Sequence, residues 1–224
     1  MISEAMEDYL KALYTLGHEG PGGPVSTGAL AATLGVAAPS VSGMLKKLAA
    51  AGLVEHHPRR GARLTPAGEQ VALQVLRHHR LLECCLSAAL GYSWDAVHEE
   101  ADRLEHHLSD KLVARMEAAL GYPTVDPHGA PIPSRGGEMA IPAGRSLATV
   151  PVAAGGVVAR VGDADAAKLR YLAELGLFPG VPVTVLETLP FNGPLRVRVG
   201  GAEEGREALL GRELAAEIFV RDER

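Results

Sequence analysis

Apolar residues recur at helical spacing over residues 3–17, where Met6, Tyr9 or Leu10, Leu13 and Leu16 share one face. The pattern predicts a helix with Ser3 as N-cap, Glu4 and Glu7 at its positive end and Gly17 as its stop. A Gly/Pro loop follows over 18–24. A short helix is expected over 26–34, capped by Ser26 or Thr27 and ended by Gly35. After the tight turn Val36-Ala37-Ala38, Pro39 suits the first turn of another helix, running to about Ala51. Val41, Leu45 and Leu48 form its buried face, while Ser40, Ser42, Gly43, Lys46 and Lys47 lie opposite. Two short strands are then expected, 53–57 and 62–64, around the turn Pro58-Arg59-Arg60-Gly61.

Thr65-Pro66 opens a long helix. Residues 66–90 and 94–120 read as two helical stretches separated by Gly91-Tyr92-Ser93. Leu81, Leu82, Leu86 and Leu90 line the first, and Leu104, Leu108, Leu112 and Met116 the second. Much of this apolar surface suits burial against a second subunit. Prolines 123, 127, 131, 133 and 142 sit among glycines and read as an irregular linker. Beyond it, strands are expected at 150–152, 156–161, 181–186 and 195–199, with helices at 165–175 and 212–218. The chain is therefore mainly α with a small β domain. Four segments are expected: a winged helix-turn-helix over 1–65, a helical metal-binding and dimerisation domain over 66–122, a linker over 123–149 and a small β-barrel over 150–224.

Composition narrows the class. With 224 residues and a 47% apolar share, the chain supports real cores in more than one domain. No apolar run is long enough for a spanning helix, and the amino terminus lacks a basic-then-apolar leader. Cys84 and Cys85 are adjacent and cannot staple distant segments, which fits a reducing cytoplasm. A net charge of −5 disfavours indiscriminate nucleic-acid binding, yet Lys46, Lys47, Arg59, Arg60 and Arg63 cluster early.

That cluster falls on the helix, turn, helix, two-stranded wing order of a DNA reader. Thr27, Pro39, Ser40, Ser42 and Gly43 sit where base edges and phosphates are reached. Lys46, Lys47, Arg59 and Arg60 are placed to contact phosphates. Because Gly43 brings no side chain, DNA shape would carry part of the selectivity. The expected partner is double-stranded operator DNA, with no membrane involved.

A second chemistry lies downstream. On a continuous helix His98, Asp102, Glu105 and His106 fall at i, i+4, i+7 and i+8 and share a face. His79 and Glu83 form another i, i+4 pair, Asp8 lies on the first helix, and Asp126 and His128 flank Pro127. Carboxylates with imidazoles and no sulfur suit first-row divalent cations of intermediate hardness. The bland alternative is a solvated acidic face paired with Arg80 or Arg103. His and carboxylate clusters also build hydrolase sites. However, no Gly-rich phosphate loop or nucleophile elbow is present, so an enzyme is not expected.

Taken together, HHRLLE at 78–83, HEEADRLEHHLSD at 98–110 and PHGAPIP at 127–133 resemble the diphtheria toxin repressor family, which includes iron-dependent repressors and manganese transport regulators. LAELGLFPG at 172–180 resembles the FeoA-type, Src-homology-3-like domain of its longer members. The resemblance implies a dimeric, metal-activated repressor of metal-uptake genes. It implies a primary site of Asp8, Asp102, Glu105 and His106, with Asp at two positions where iron-type members carry Met and Cys. That exchange of sulfur for oxygen moves the expected cofactor to Mn²⁺, with Fe²⁺ possible as an alternative. Lys11 stands where the short manganese regulators carry glutamate. A second site is implied at His79, Glu83 and His98, joined by Asp126 and His128 and by an acid of the barrel, Asp163 or Asp165.

Overall fold

A computed structural model describes residues 2–19, 23–57, 59–141, 144–162, 165–201 and 205–222. The chain divides into two compact units, each built from several segments. The first contains Met1–His79, Glu105–Ser109 and Pro133–Met139; the second contains Arg80–Leu104, Asp110–Ile132 and Ala140–Arg224.

In the first unit, α1 (Glu4–Glu19), α2 (Thr27–Leu34) and α3 (Ala38–Ala50) precede an antiparallel hairpin of β1 (Val54–His57) and β2 (Gly61–Leu64). Ser26 caps α2, its hydroxyl accepting from the Ala29 N–H at 3.1 Å. Gly35 ends α2 with φ 65°. Pro39 occupies the first turn of α3. Val41, Leu45 and Leu48 are fully buried with Leu10, Leu13, Leu30 and Val54, while Ser40, Gly43, Lys46 and Lys47 are exposed. Gly61 has φ 101°, and a Cβ there would meet the Val25 carbonyl oxygen at 2.3 Å. Only glycine therefore lets the wing approach the strand-like segment at Val25. Gly17 does not stop α1. The helix continues through His18, whose ring stacks on Tyr14 and holds that residue's carbonyl at 2.9 Å. The wing-tip residue Pro58 lies outside the described residues.

Helix α4 (Pro66–Leu90) runs through both units and has the bounds its sequence predicts. The Thr65 hydroxyl accepts from the Gly68 N–H at 3.2 Å, so the cap-then-proline signature works as expected. The single helix expected over 94–120 is not continuous. It is α5 (Val97–Leu104), a 3₁₀ turn (Glu105–His107) and α6 (Asp110–Ala119). A 3₁₀ turn tightens a helix end and redirects the chain. Here it carries Glu105 and His106 into the first unit, while Asp102 remains in the second.

In the second unit, a six-stranded antiparallel sheet has the order β3-β8-β4-β5-β6-β7. Its strands are β3 (Arg145–Ser146), β4 (Gly155–Val161), β5 (Pro182–Thr188), β6 (Leu195–Val199), β7 (Arg206–Leu210) and β8 (Ile218–Arg221). Helices α7 (Ala166–Glu174) and α8 (Arg212–Ala216) pack on it through Leu169, Leu172 and Ala215. The strand expected at 150–152 is absent. Val150 closes a 3₁₀ turn and Ala153 takes φ 65°, which breaks an extended run. No single helix among the described residues is long and apolar enough to cross a membrane.

Candidate metal centre

Among the described residues, carboxylates and imidazoles converge within each unit. In the first unit, α1 projects Glu7, Asp8 and Lys11 at the 3₁₀ turn. Glu105, on that turn, is 1% exposed. Asp8, Glu105 and His106 each offer a ligand atom within 4.8 Å of the others. His106 lies between two carboxylates: Nε2 is 2.9 Å from Asp8 Oδ1 and Nδ1 is 2.6 Å from Glu7 Oε2. Burial opposes charge on this ring, but its hydrogen bond to Glu7 and the charges of Glu105 and Asp8 hold its pKa above the ordinary value. Burial raises the Asp8 carboxyl, with His106 acting against the shift. Glu105 also meets Lys11, whose Nζ is 2.8 Å from both of its oxygens, and His79, whose Nδ1 is 2.6 Å from Oε2.

The second cluster collects Glu83 from α4, His98 from α5 and the loop residues Asp126 and His128. Glu83 and His128 are fully buried and Asp126 nearly so. These three offer ligand atoms within 4.8 Å of one another. Glu83 Oε1 is 3.1 Å from His98 Nδ1 and 3.8 Å from His128 Nδ1. The Trp94 carbonyl lies 2.9 Å from His128 Nε2 and accepts its proton, which turns Nδ1 towards Glu83. Burial disfavours charge on His128, yet Glu83 and the Trp94 carbonyl prevail and hold its pKa up at about 9. Asp126 Oδ1 accepts from the backbone N–H groups of His128 and Ala130 at 2.8 and 3.0 Å, and its Oδ2 is 3.4 Å from Arg80 Nε. The loop is fixed on β4 by the Val161 N–H, which donates to the His128 carbonyl at 3.0 Å. Gly129 has φ 88°, and a Cβ there would strike the Ala159 carbonyl oxygen at 2.0 Å.

Both donor sets fit a divalent cation. Paired carboxylates buried beside an imidazole repel one another unless a cation, a proton or a basic side chain lies among them. Oxygen and imidazole donors without thiolate match Mn²⁺ or Fe²⁺.

Three domain families match in order. Residues 1–62 match the iron dependent repressor N-terminal DNA binding domain, and 65–134 its metal binding and dimerisation domain. Residues 145–222 match the FeoA domain. The iron-dependent repressor IdeR of Mycobacterium tuberculosis (strain ATCC 25618 / H37Rv) is 32% identical over 206 residues, covering 86% of this chain and 87% of that protein. The chain belongs to the iron-dependent repressor family. Among solved structures, a manganese-dependent transcriptional repressor in complex with manganese is similar to this family member at TM-score 0.90 and 41% identity, covering 97% of this chain and 100% of the other. ScaR with bound Cd²⁺ is similar at TM-score 0.82 and 33% identity, covering 97% and 99%. As a member of a family of metal-dependent transcriptional repressors, the protein is not an enzyme.

Within this repressor, most residues expected to bind metal fall into the two clusters. Asp8, Glu105 and His106 meet in the first unit, and Glu83, His98, Asp126 and His128 in the second. Asp102 lies in the second unit, half-exposed, with Oδ2 3.7 Å from His98 Nε2. His79 lies in the first unit on Glu105. Asp163 lies outside the described residues. Asp165 caps α7 by accepting from the Ala167 and Lys168 N–H groups, and it joins no converging donor group among the described residues. Glu99 and Glu100 pair with Arg103, as a solvated face should. Glu7 was expected only to favour the positive end of α1; its contact with His106 needed the packing of α1 on the 3₁₀ turn. The sequence likewise did not pair Lys11 with Glu105.

Proposed function

We propose that this protein represses metal-uptake genes by binding operator DNA as a homodimer when Mn²⁺ fills its sites. The donor set of Asp8, Glu105 and His106, all oxygen and nitrogen, carries the reading. Asp102 is proposed to complete the primary site. Glu83, His98, Asp126 and His128 are proposed to hold a second cation, with His79 and a barrel acid as further candidates. Solved relatives named for manganese support the choice of metal.

When bound, the divalent cation supplies the positive charge that lets Asp8 and Glu105 lie together. Asp8 belongs to α1 and His106 to the 3₁₀ turn, so a cation shared by the two would hold α1 in one place. The buried residues Leu10 and Leu13 of α1 pack in the same core as Leu30 of α2 and Leu45 of α3. Fixing α1 therefore fixes the element that presents Ser40, Ser42, Gly43, Lys46 and Lys47. Arg59 and Arg60 at the wing would add phosphate contacts. A homodimer is supported by the large apolar side chains left exposed in the second unit, among them Leu90, Leu104, Leu112 and Tyr122. A DNA reader of this kind would work in the cytoplasm.

A second reading, an iron(II)-dependent repressor, is favoured by the IdeR relatives. Anaerobic competition between Mn²⁺ and Fe²⁺ for the chelator-stripped protein separates the two. The proposal as a whole is tested by selecting duplexes from a randomised library with Mn²⁺-loaded protein, then measuring binding with and without chelator. Metal-independent binding would refute it.

A further inference from the structure

Lys11 is one turn along α1 from Asp8, and both residues face the 3₁₀ turn. Its ammonium lies 2.8 Å from each oxygen of Glu105 and 3.3 Å from His79 Nδ1. Glu105 is 1% exposed, and the Lys11 side chain only 19%. A carboxylate that deep requires a positive neighbour, and Lys11 is a covalently tethered one. It engages both oxygens of the residue that a divalent cation shared with Asp8 and His106 would also use. A lysine ammonium is a compact, mobile point charge, so it competes for these oxygens without blocking the space permanently.

We infer that Lys11 is a built-in competitor of the metal, setting the concentration at which the first-unit site fills. The inference rests on the metal-responsive reading above. Without bound metal, Lys11 neutralises Glu105. An incoming divalent cation meets a site already carrying one positive charge. Like charges a few ångströms apart in a partly buried site oppose each other strongly, so loss of the ammonium strengthens metal binding by about tenfold or more.

The test is Mn²⁺ titration of the full chain, followed through the free-ion electron paramagnetic resonance signal. Wild type, K11Q, K11M, K11R and E105Q are compared. The inference expects K11Q and K11M to tighten one binding step by about tenfold or more and K11R to stay near wild type. Chelator-stripped K11Q is also expected to melt below wild type and to gain more from added Mn²⁺, because Glu105 loses the ammonium that contacts both of its oxygens. K11M keeps the test decisive if K11Q does not fold. If E105Q loses a binding step while K11Q and K11M bind Mn²⁺ no more tightly than wild type, the Lys11 inference fails alone. A K11R protein that binds as tightly as K11Q also overturns it, since charge would not be the cause. If E105Q retains every step, the metal-responsive reading fails, and the inference with it.

Discussion

Glu7 Oε2 lies 2.6 Å from Nδ1 of His106, on the side of the ring opposite Asp8. A carboxylate on the far nitrogen of an imidazole fixes its orientation and raises its basicity as a ligand. Replacing Glu7 with alanine is therefore expected to weaken Mn²⁺ binding by roughly 10–100-fold, while E7Q, which retains an acceptor oxygen, loses less. Titration calorimetry on the stripped proteins checks the ranking. Equal affinity in E7A and wild type would remove Glu7 from the centre.

The DNA-reading surface separates from the core beneath it. Leu45 is fully buried on α3, and L45A is expected to cost about 2–5 kcal/mol in urea unfolding. Lys46 and Lys47 are exposed, so their alanine variants should unfold like wild type. They should bind all duplexes more weakly, each reducing the slope of log affinity against log salt by about 1. An unchanged slope would take these lysines off the phosphate backbone.

His128 gives the metal-free protein a defined pH response. Its folded pKa of about 9 stands above the ordinary imidazole value of 6.5. The stabilisation is fully present below pH 6.5 and is lost as pH rises through about 9. The shift corresponds to roughly 3 kcal/mol in chelator. Denaturant melts across this window should show wild type losing stability with rising pH and H128Q losing much less. Parallel curves would contradict the buried Glu83–His128 pair.

Burial, reinforced by the charges of Asp126 and Glu83, pushes the Cys84 thiol up to about 12. At pH 8 its thiolate fraction is on the order of 10⁻⁴, so iodoacetamide should leave Cys84 unmodified until the protein is unfolded. Peptide mass spectrometry reads this directly. Rapid labelling of the native protein would show that the pocket around Glu83 is open.

Local chemistry explains which features could be read in advance. The bounds of α4 follow from Thr65-Pro66 at one end and Gly91 at the other, and the reading head follows from Ser26, Gly35 and Pro39. The break after Leu104 had no such marker. HEEADRLEHHLSD contains neither proline nor glycine, and the turn is instead tied to the burial of Glu105 against Lys11 and His79. For this reason Glu105 and His106 do not continue the α5 helix that carries His98 and Asp102. Strand β7 (REALL) has helix-favouring residues and forms by pairing with β6, while β8 begins at Ile218, inside the segment expected to end a helix. Contacts made by Glu7 and Lys11 depend on where α1 lands, which periodicity does not encode.

On the reading proposed here, a divalent cation would tie α1 to the 3₁₀ turn, and DNA binding would follow. Fluorescence anisotropy of a duplex selected with the Mn²⁺-loaded protein tests it most directly, comparing wild type and D8A with Mn²⁺ or chelator. Tight binding is expected only of wild type with Mn²⁺. Equal binding by stripped wild type, or by Mn²⁺-treated D8A, would contradict it.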